Sequence, residues 1–141
     1  MESLVLQDCL RRIQEIGDFM KDKNKTSAEV KYVRISPFKM RKVADTVRHL
    51  TPLVALEQLA LMPQRSARIL YKLIHSALHN AIHNNSLNKS NLLIDELIVN
   101  EGPKLKRSKA RARGRMFGIM KPYSHAKVIL INQGELNGSK S

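Results

Sequence analysis

The chain has 141 residues, 43% of them apolar and 4% aromatic, with no Trp and a formal net charge of +13. That length fits one domain with a modest core, and a soluble enzyme rarely carries such an imbalance, because self-repulsion destabilises the compact state. Scarce aromatics argue against base stacking as the main nucleic-acid contact. The lone Cys9 excludes an internal disulfide and a Cys-based zinc site, and no apolar run is long enough to span a membrane.

The first thirty residues hold five Lys/Arg and six Asp/Glu, a net of −1, so the body of the chain carries +14. Leu6, Cys9, Leu10, Ile13, Ile16 and Met20 recur at steps of three and four and predict a helix over 3–21. Glu2, Asp8, Glu15 and Asp18 do not suit a transit peptide. Lys21–Ser27 is polar and reads as a linker. The β-branched and aromatic stretch Val30–Ile35 predicts a short strand.

Three helices follow. Ser36-Pro37 and Thr51-Pro52 are both N-cap and first-turn signals. The first helix buries Met40, Val43, Ala44 and Val47 and ends near Leu50, and the second runs from Pro52 to Met62, where Pro63 breaks it. The third spans about Gln64–Asn85, with Ala67, Leu70, Ile74, Ala77, Leu78 and Ala81 as its apolar stripe. Ser86–Asn91 is a polar loop. Leu92–Asn100 and Val128–Ile131 are strand candidates, the second with alternation reaching back through Ile119, Tyr123 and His125. Together they predict one long hairpin, with arms of about 12–15 residues and a reach of roughly 40–50 Å.

The distal half of that hairpin reads KLKRSKARARGR from Lys104 to Arg115, with seven cationic residues and no acidic one. Arg107, Lys109, Arg111, Arg113 and Arg115 fall at every second position. In an extended strand they would form a single file of charge, about 6.5–7 Å apart, with small residues between them. Such a face repels itself and needs a polyanion to lie against, such as folded RNA. The plainer alternative is a solvated basic loop or a localisation tag. Gly114 marks a close backbone approach or a kink. The distal half is expected to lack apolar residues and to order against a partner.

Other constellations carry less. His75, His79 and His83 share a helix face, but they span about 12 Å, too far for one tetrahedral ion, and no metal site is expected. No phosphate-cradling GxxxxGK loop is present, and Asp95 and Glu96, adjacent in a strand, would point to opposite faces. No catalytic residue and no cofactor are expected. A helix-turn-helix DNA binder is the rival reading, yet the densest charge lies outside the helices.

Four blocks in order, ISPFKMRKVADTVR (35–48), SARILYKLIHSALHNAIHNN (66–85), LIVNEGPKLKRSKARARGR (97–115) and SHAKVIL (124–130), resemble the universal large-subunit ribosomal protein 22 family, in its bacterial and organellar branch. The resemblance implies an α+β fold. Three helices would pack on a small antiparallel three-stranded sheet, with a long protruding β-hairpin over about 92–131 and an extra N-terminal helix. The implied domain spans 28–132, between an N-terminal extension at 1–27 and a tail at 133–141. The implied role is structural and non-enzymatic: binding large-subunit rRNA, tying its domains together during assembly, and lining the peptide exit tunnel with the hairpin tip. Implied partners are the rRNA, neighbouring large-subunit proteins and the nascent peptide, on a bacterial or organellar ribosome, with no membrane span. The implied rRNA contacts are Ser36, Lys39, Arg41 and Lys42 in the first block. In the hairpin they are Lys104, Lys106, Arg107, Lys109, Arg111, Arg113, Gly114, Arg115 and Lys121, with His125 in the flanking Ser-His pair.

Overall fold

The computed structural model describes residues 25–133. The expected helix over 3–21 and all but the first residue of the expected tail lie outside them. The described elements are β1 (Lys25–Val33), α1 (Pro37–Val47), α2 (Pro52–Leu61), α3 (Arg65–Asn85), β2 (Leu92–Glu101), β3 (Leu105–Ala110), β4 (Met116–Lys121) and β5 (Ser124–Asn132). The architecture is α+β, three helices with a small antiparallel sheet, as expected.

The three-stranded sheet has the order β1-β5-β2, so the last strand is central and pairs on both sides. β1 begins earlier than Val30, and part of the expected linker is strand: Lys25, Thr26 and Ser27 pair with Ile131, Leu130 and Ile129. Their polarity hid this. Thr26 faces inward, and its hydroxyl accepts from Asn85 Nδ2 at 2.9 Å, so a polar residue is buried without an unpaired oxygen. Each outer strand carries one irregularity, between Val30 and Val33 in β1 and between Ile94 and Glu96 in β2. The extra residue lets Ile94 and Leu97 both face the core despite odd spacing, and it frees Asp95 to meet Lys25 Nζ at 3.1 Å. The simple alternation expected for Asp95 and Glu96 is broken by this bulge.

The helices cover one face of the sheet. The expected stripes of α1 and α3 are all buried, joined by Leu73 of α3 and by Ala55 and Leu59 of α2. They pack against Leu97, Val99, Ala126, Val128 and Leu130. Burying each Leu or Ile contributes about 1.5–3 kcal/mol. α1 ends where Leu50 N–H bonds Val47 O at 3.2 Å, and Pro52 then opens α2. α3 ends through Ser86, which turns left-handed (φ 52°) so that Leu87 N–H reaches Ala81 O. Two arginines of the α1 segment fasten the sheet: Arg41 Nε donates to Val99 O and Arg48 donates to Leu97 O, both at 3.1 Å. Asp45 holds Arg48 at 2.9 Å.

Ile74 is fully buried, at 0% exposure, where the stripe of α3 meets the core. Ile74→Ala is expected to lower stability on the order of 2–5 kcal/mol. Urea unfolding checks it: the midpoint should fall while the slope stays unchanged.

Candidate nucleic-acid interface

Past the sheet, β2 and β5 do not continue straight into one hairpin. Gly102–Lys104 interrupt one arm and Pro122–Tyr123 the other, before β3 and β4 resume as a two-stranded ribbon. The junction stays closed because Gly102 N–H donates to Tyr123 O at 2.8 Å. A Cβ at position 102 would lie 3.0 Å from His125 Nε2 and 3.1 Å from Tyr123 Cβ, so any side chain there would make the imidazole and the Tyr123 backbone give by a few tenths of an ångström. His125 is held in turn by β1: its Nδ1 accepts from Tyr32 N–H at 3.1 Å, and the two rings meet edge to face at 4.8 Å. Tyr32 is left-handed (φ 56°) at the β1 irregularity, and this aims its N–H at the imidazole. His125, carried over as an RNA contact, thus has one nitrogen and one ring face committed to the base of the ribbon.

The ribbon adds about 20 Å beyond the sheet. Its register pairs Leu105 with Lys121, Arg107 with Ile119, Lys109 with Phe117, Lys106 with Met120, Ser108 with Gly118 and Ala110 with Met116. Opposite residues of an antiparallel pair share a face. One face therefore carries Arg107 and Lys109 with Phe117 and Ile119. The other carries Lys106 with Met116 and Met120, over the small residues Ser108, Ala110 and Gly118.

Two sequence expectations are corrected here. The single file of five cations does not form, because the chain reverses inside it. Arg113 (φ 58°) and Gly114 (φ 68°) are consecutive left-handed residues, the combination a tight hairpin turn needs. Arg111 N–H then meets Arg115 O at 2.9 Å, which sets Arg115 on the return arm. Nothing lies within 4 Å of a Cβ built on Gly114, so this glycine serves the turn and not a close approach. The distal half also does not lack apolar residues: Met116, Phe117 and Met120 are exposed on the return strand. The alternating MFGIM that follows the Arg-Gly turn was the available signal. Arg111 lies over the Phe117 ring at 5.7 Å.

None of Lys106, Arg107, Lys109, Arg111, Arg113, Arg115 and Lys121 has an acidic partner among the described residues, whereas Lys104 meets Glu101 at 3.6 Å. In the body, the SPFKMRK block divides. Ser36, Lys39 and Lys42 border a cavity of about 590 Å³ at the foot of the ribbon. Arg41 leaves that side to bind β2.

The stripe on α3 forms a ladder of rings. Tyr71 and His75 stack at 6.0 Å between centroids, His75 and His79 lie 4.4 Å apart, and His79 and His83 stack at 5.8 Å. No group of three or more His, Cys, Asp or Glu side chains among the described residues is placed to hold a metal ion. No described helix is long and apolar enough to cross a membrane.

Residues 28–131 match the family model described as ribosomal protein L22p/L17e. The chain is 40% identical over 111 residues to the large ribosomal subunit protein uL22c of Phaeodactylum tricornutum, covering 79% of this chain and 96% of that one. It is 48% identical over 98 residues to uL22 of Petrotoga mobilis, covering 70% and 66% respectively. It is 39% identical over 106 residues to uL22 of Mycoplasma mycoides, covering 75% and 96%.

The clasp at the foot of the ribbon is testable. Gly102→Ala should push the imidazole off Tyr32. Hydrogen exchange by NMR should then speed up at the Tyr32 and Gly102 amides and stay slow at Leu70 and Ile74 in α3.

Proposed function

The chain belongs to the ribosomal protein L22p/L17e family, and on that premise we propose that it binds large-subunit rRNA through its ribbon and lines the peptide exit tunnel with the ribbon's tip. Membership makes it a non-enzymatic constituent of the large ribosomal subunit, with rRNA and other ribosomal proteins as its surroundings. Its relatives come from bacteria and plastids.

The observation that carries the finer reading is the ribbon. It is two strands wide, has no core of its own, and holds seven cations without an acidic partner among the described residues. Such an element is satisfied only by a surface dense in phosphate. Lys106, Arg107, Lys109, Arg111, Arg113, Arg115 and Lys121 act on phosphates, with Lys104 shared between Glu101 and RNA. Gly114 shapes the tip. Ser36, Lys39 and Lys42 extend the contact to the body, Arg41 is held by β2 instead, and His125 orients the ribbon's base. The domain covers the expected 28–132 together with Lys25–Ser27, which β1 adds to the sheet. The narrow tip, Arg111–Arg115, is the part that meets the nascent peptide. By bridging separate rRNA segments, body and ribbon together hold them in place as the subunit assembles.

The test is a sedimentation gradient of native lysate, with the chain tracked by mass spectrometry. Stoichiometric co-migration with the large subunit, lost only at molar salt, is expected. Migration as a free small protein would sink the reading. If about seven cations meet phosphates, log K for rRNA falls with log salt at a slope of about −5 to −6. Replacing Arg111, Arg113 and Arg115 together with Ala should lower large-subunit yield while leaving the circular dichroism of the body unchanged.

A further inference from the structure

Helix α2 buries one side and leaves the other apolar. Pro52, Ala55 and Leu59 face the core. Leu53, Val54 and Leu61 lie on the outward side, at 43%, 41% and 86% exposure. Leu53, Glu57 and Leu61 follow at steps of four and form one row, and Glu57 is the only charged residue of the helix. Its carboxylate has no ion pair among the described residues. A face with no cation and one carboxylate does not suit a phosphate backbone. A second copy suits it no better. Paired about a two-fold axis, the row would set Glu57 against its own copy, between two chains of net charge +13 each.

The residues before Lys25 carry the complementary pattern. Leu6, Cys9, Leu10, Ile13, Ile16 and Met20 make the apolar stripe of the helix expected over 3–21. Asp8, Glu15 and Asp18 fall on the opposite side of such a helix. Arg12 comes three residues after Cys9 and four before Ile16, so it borders the stripe. The place where this segment joins the body also fits. α2 and α3 pack together and are joined by Met62–Gln64 alone, so they run antiparallel. The end of α3 meets the start of β1, where Asn85 Nδ2 bonds the Thr26 hydroxyl at 2.9 Å. The 10 residues of α2 cover about 15 Å of the 21-residue α3, which is about 32 Å long, so Leu53 lies about 16 Å short of Thr26 along the axis. With Ile16 beside Leu53, the helix would run about 7.5 Å further to Lys21. The extended steps from Lys21 to Lys25 add about 14 Å, which closes the gap.

From the exposed row on α2 and the stretch of chain that precedes β1, we infer that residues 3–21 fold back as an amphipathic helix antiparallel to α2 and cover Leu53, Val54 and Leu61. The register sets Ile16 by Leu53, Arg12 by Glu57 and Cys9 by Leu61. Burial of the two apolar faces supplies the attraction, and the Arg12–Glu57 pair fixes the register. The docked helix takes the apolar row out of water. In its place it presents Asp8, Glu15 and Asp18 beside Arg11, a net negative patch on a basic body. Such a patch turns phosphate away from that side of the body and toward the cationic ones. The docking itself needs no RNA and stands apart from the rRNA-binding reading.

Cys9 is the only cysteine, so thiol cross-linking of the full chain tests this without a competing site. Leu61→Cys is treated with a short bis-maleimide at low protein concentration, and the products are resolved by denaturing electrophoresis and peptide mass spectrometry. A link within one chain, between Cys9 and position 61, is expected. Ser76→Cys is the comparison. Ser76 is exposed in the groove between α3 and β1, and along α3 it lies nearer the start of β1 than Leu61 does. An undocked tether would therefore link Ser76→Cys at least as fast as Leu61→Cys, and that result overturns the proposal. Links between chains overturn it in favour of a second copy. Absence of any link in Leu61→Cys overturns it and leaves the row to another protein. Arg12→Glu should slow the link in Leu61→Cys about two- to five-fold, and adding Glu57→Arg should restore the rate. Failure of that rescue overturns the register. Leu61, Ser76 and Glu57 are exposed, so the variants keep the fold, and an unchanged circular dichroism spectrum verifies that.

Discussion

Strand β5 hydrogen-bonds on both sides, and the pairing of β2 with β5 is the interaction on which the remainder depends. On one face of that pair lies the core beneath the helices. At its far end the same two chains leave the body and become the ribbon. A two-stranded ribbon has no interior, so nothing in β3 and β4 fixes their direction. The direction is inherited from β2 and β5 and transmitted through Gly102, Tyr123 and His125. This is why so much specific geometry crowds into a few residues at the junction: a glycine that admits the imidazole, a tyrosine bent left-handed to reach it, and a proline on the return arm. A tilt of about five degrees there moves the tip by about 2 Å over the ribbon's length.

The body was readable because its signals are local and repeated. The stripes of α1 and α3 follow helical spacing, and the Ser-Pro and Thr-Pro pairs mark two starts without ambiguity. Strand β1 was misjudged at its beginning because Thr26 is buried through a hydrogen bond to Asn85, and polarity alone cannot announce that. The two bulges were illegible for a related reason: they arise from the geometry of the neighbouring strand, and Asp95 looks like any other residue of an alternating run. At the tip, equal spacing of arginines suggested one continuous strand. The reversal at Arg113-Gly114 became visible only when the apolar residues after it were placed opposite the cations before it. The cavity was the least legible feature. Arg34 and Arg65, which also line it, lie thirty-one positions apart in sequence, and only the packing of α3 beside the start of α1 brings them together.

The cations fall into two populations. Arg41, Arg48 and Lys25 have protein partners and act as ordinary fasteners of strands. The cations of the ribbon, together with Arg34, Lys39, Lys42 and Arg65, have no acidic partners among the described residues. A high net charge is therefore compatible with a stable core, because the unpaired charges sit on exposed faces, where water and salt screen them.

The arginines that fasten α1 to β2 have a second effect. β2 bonds to β5 on one side only, so its other side would offer a row of carbonyls to any passing strand. Arg41 and Arg48 occupy two of them, at Val99 and Leu97, and the bulge at Asp95 interrupts the row above. On the opposite border of the sheet, the irregularity at Tyr32 does the same for β1. Both edges of the sheet are thereby poor templates for pairing with a strand of another copy.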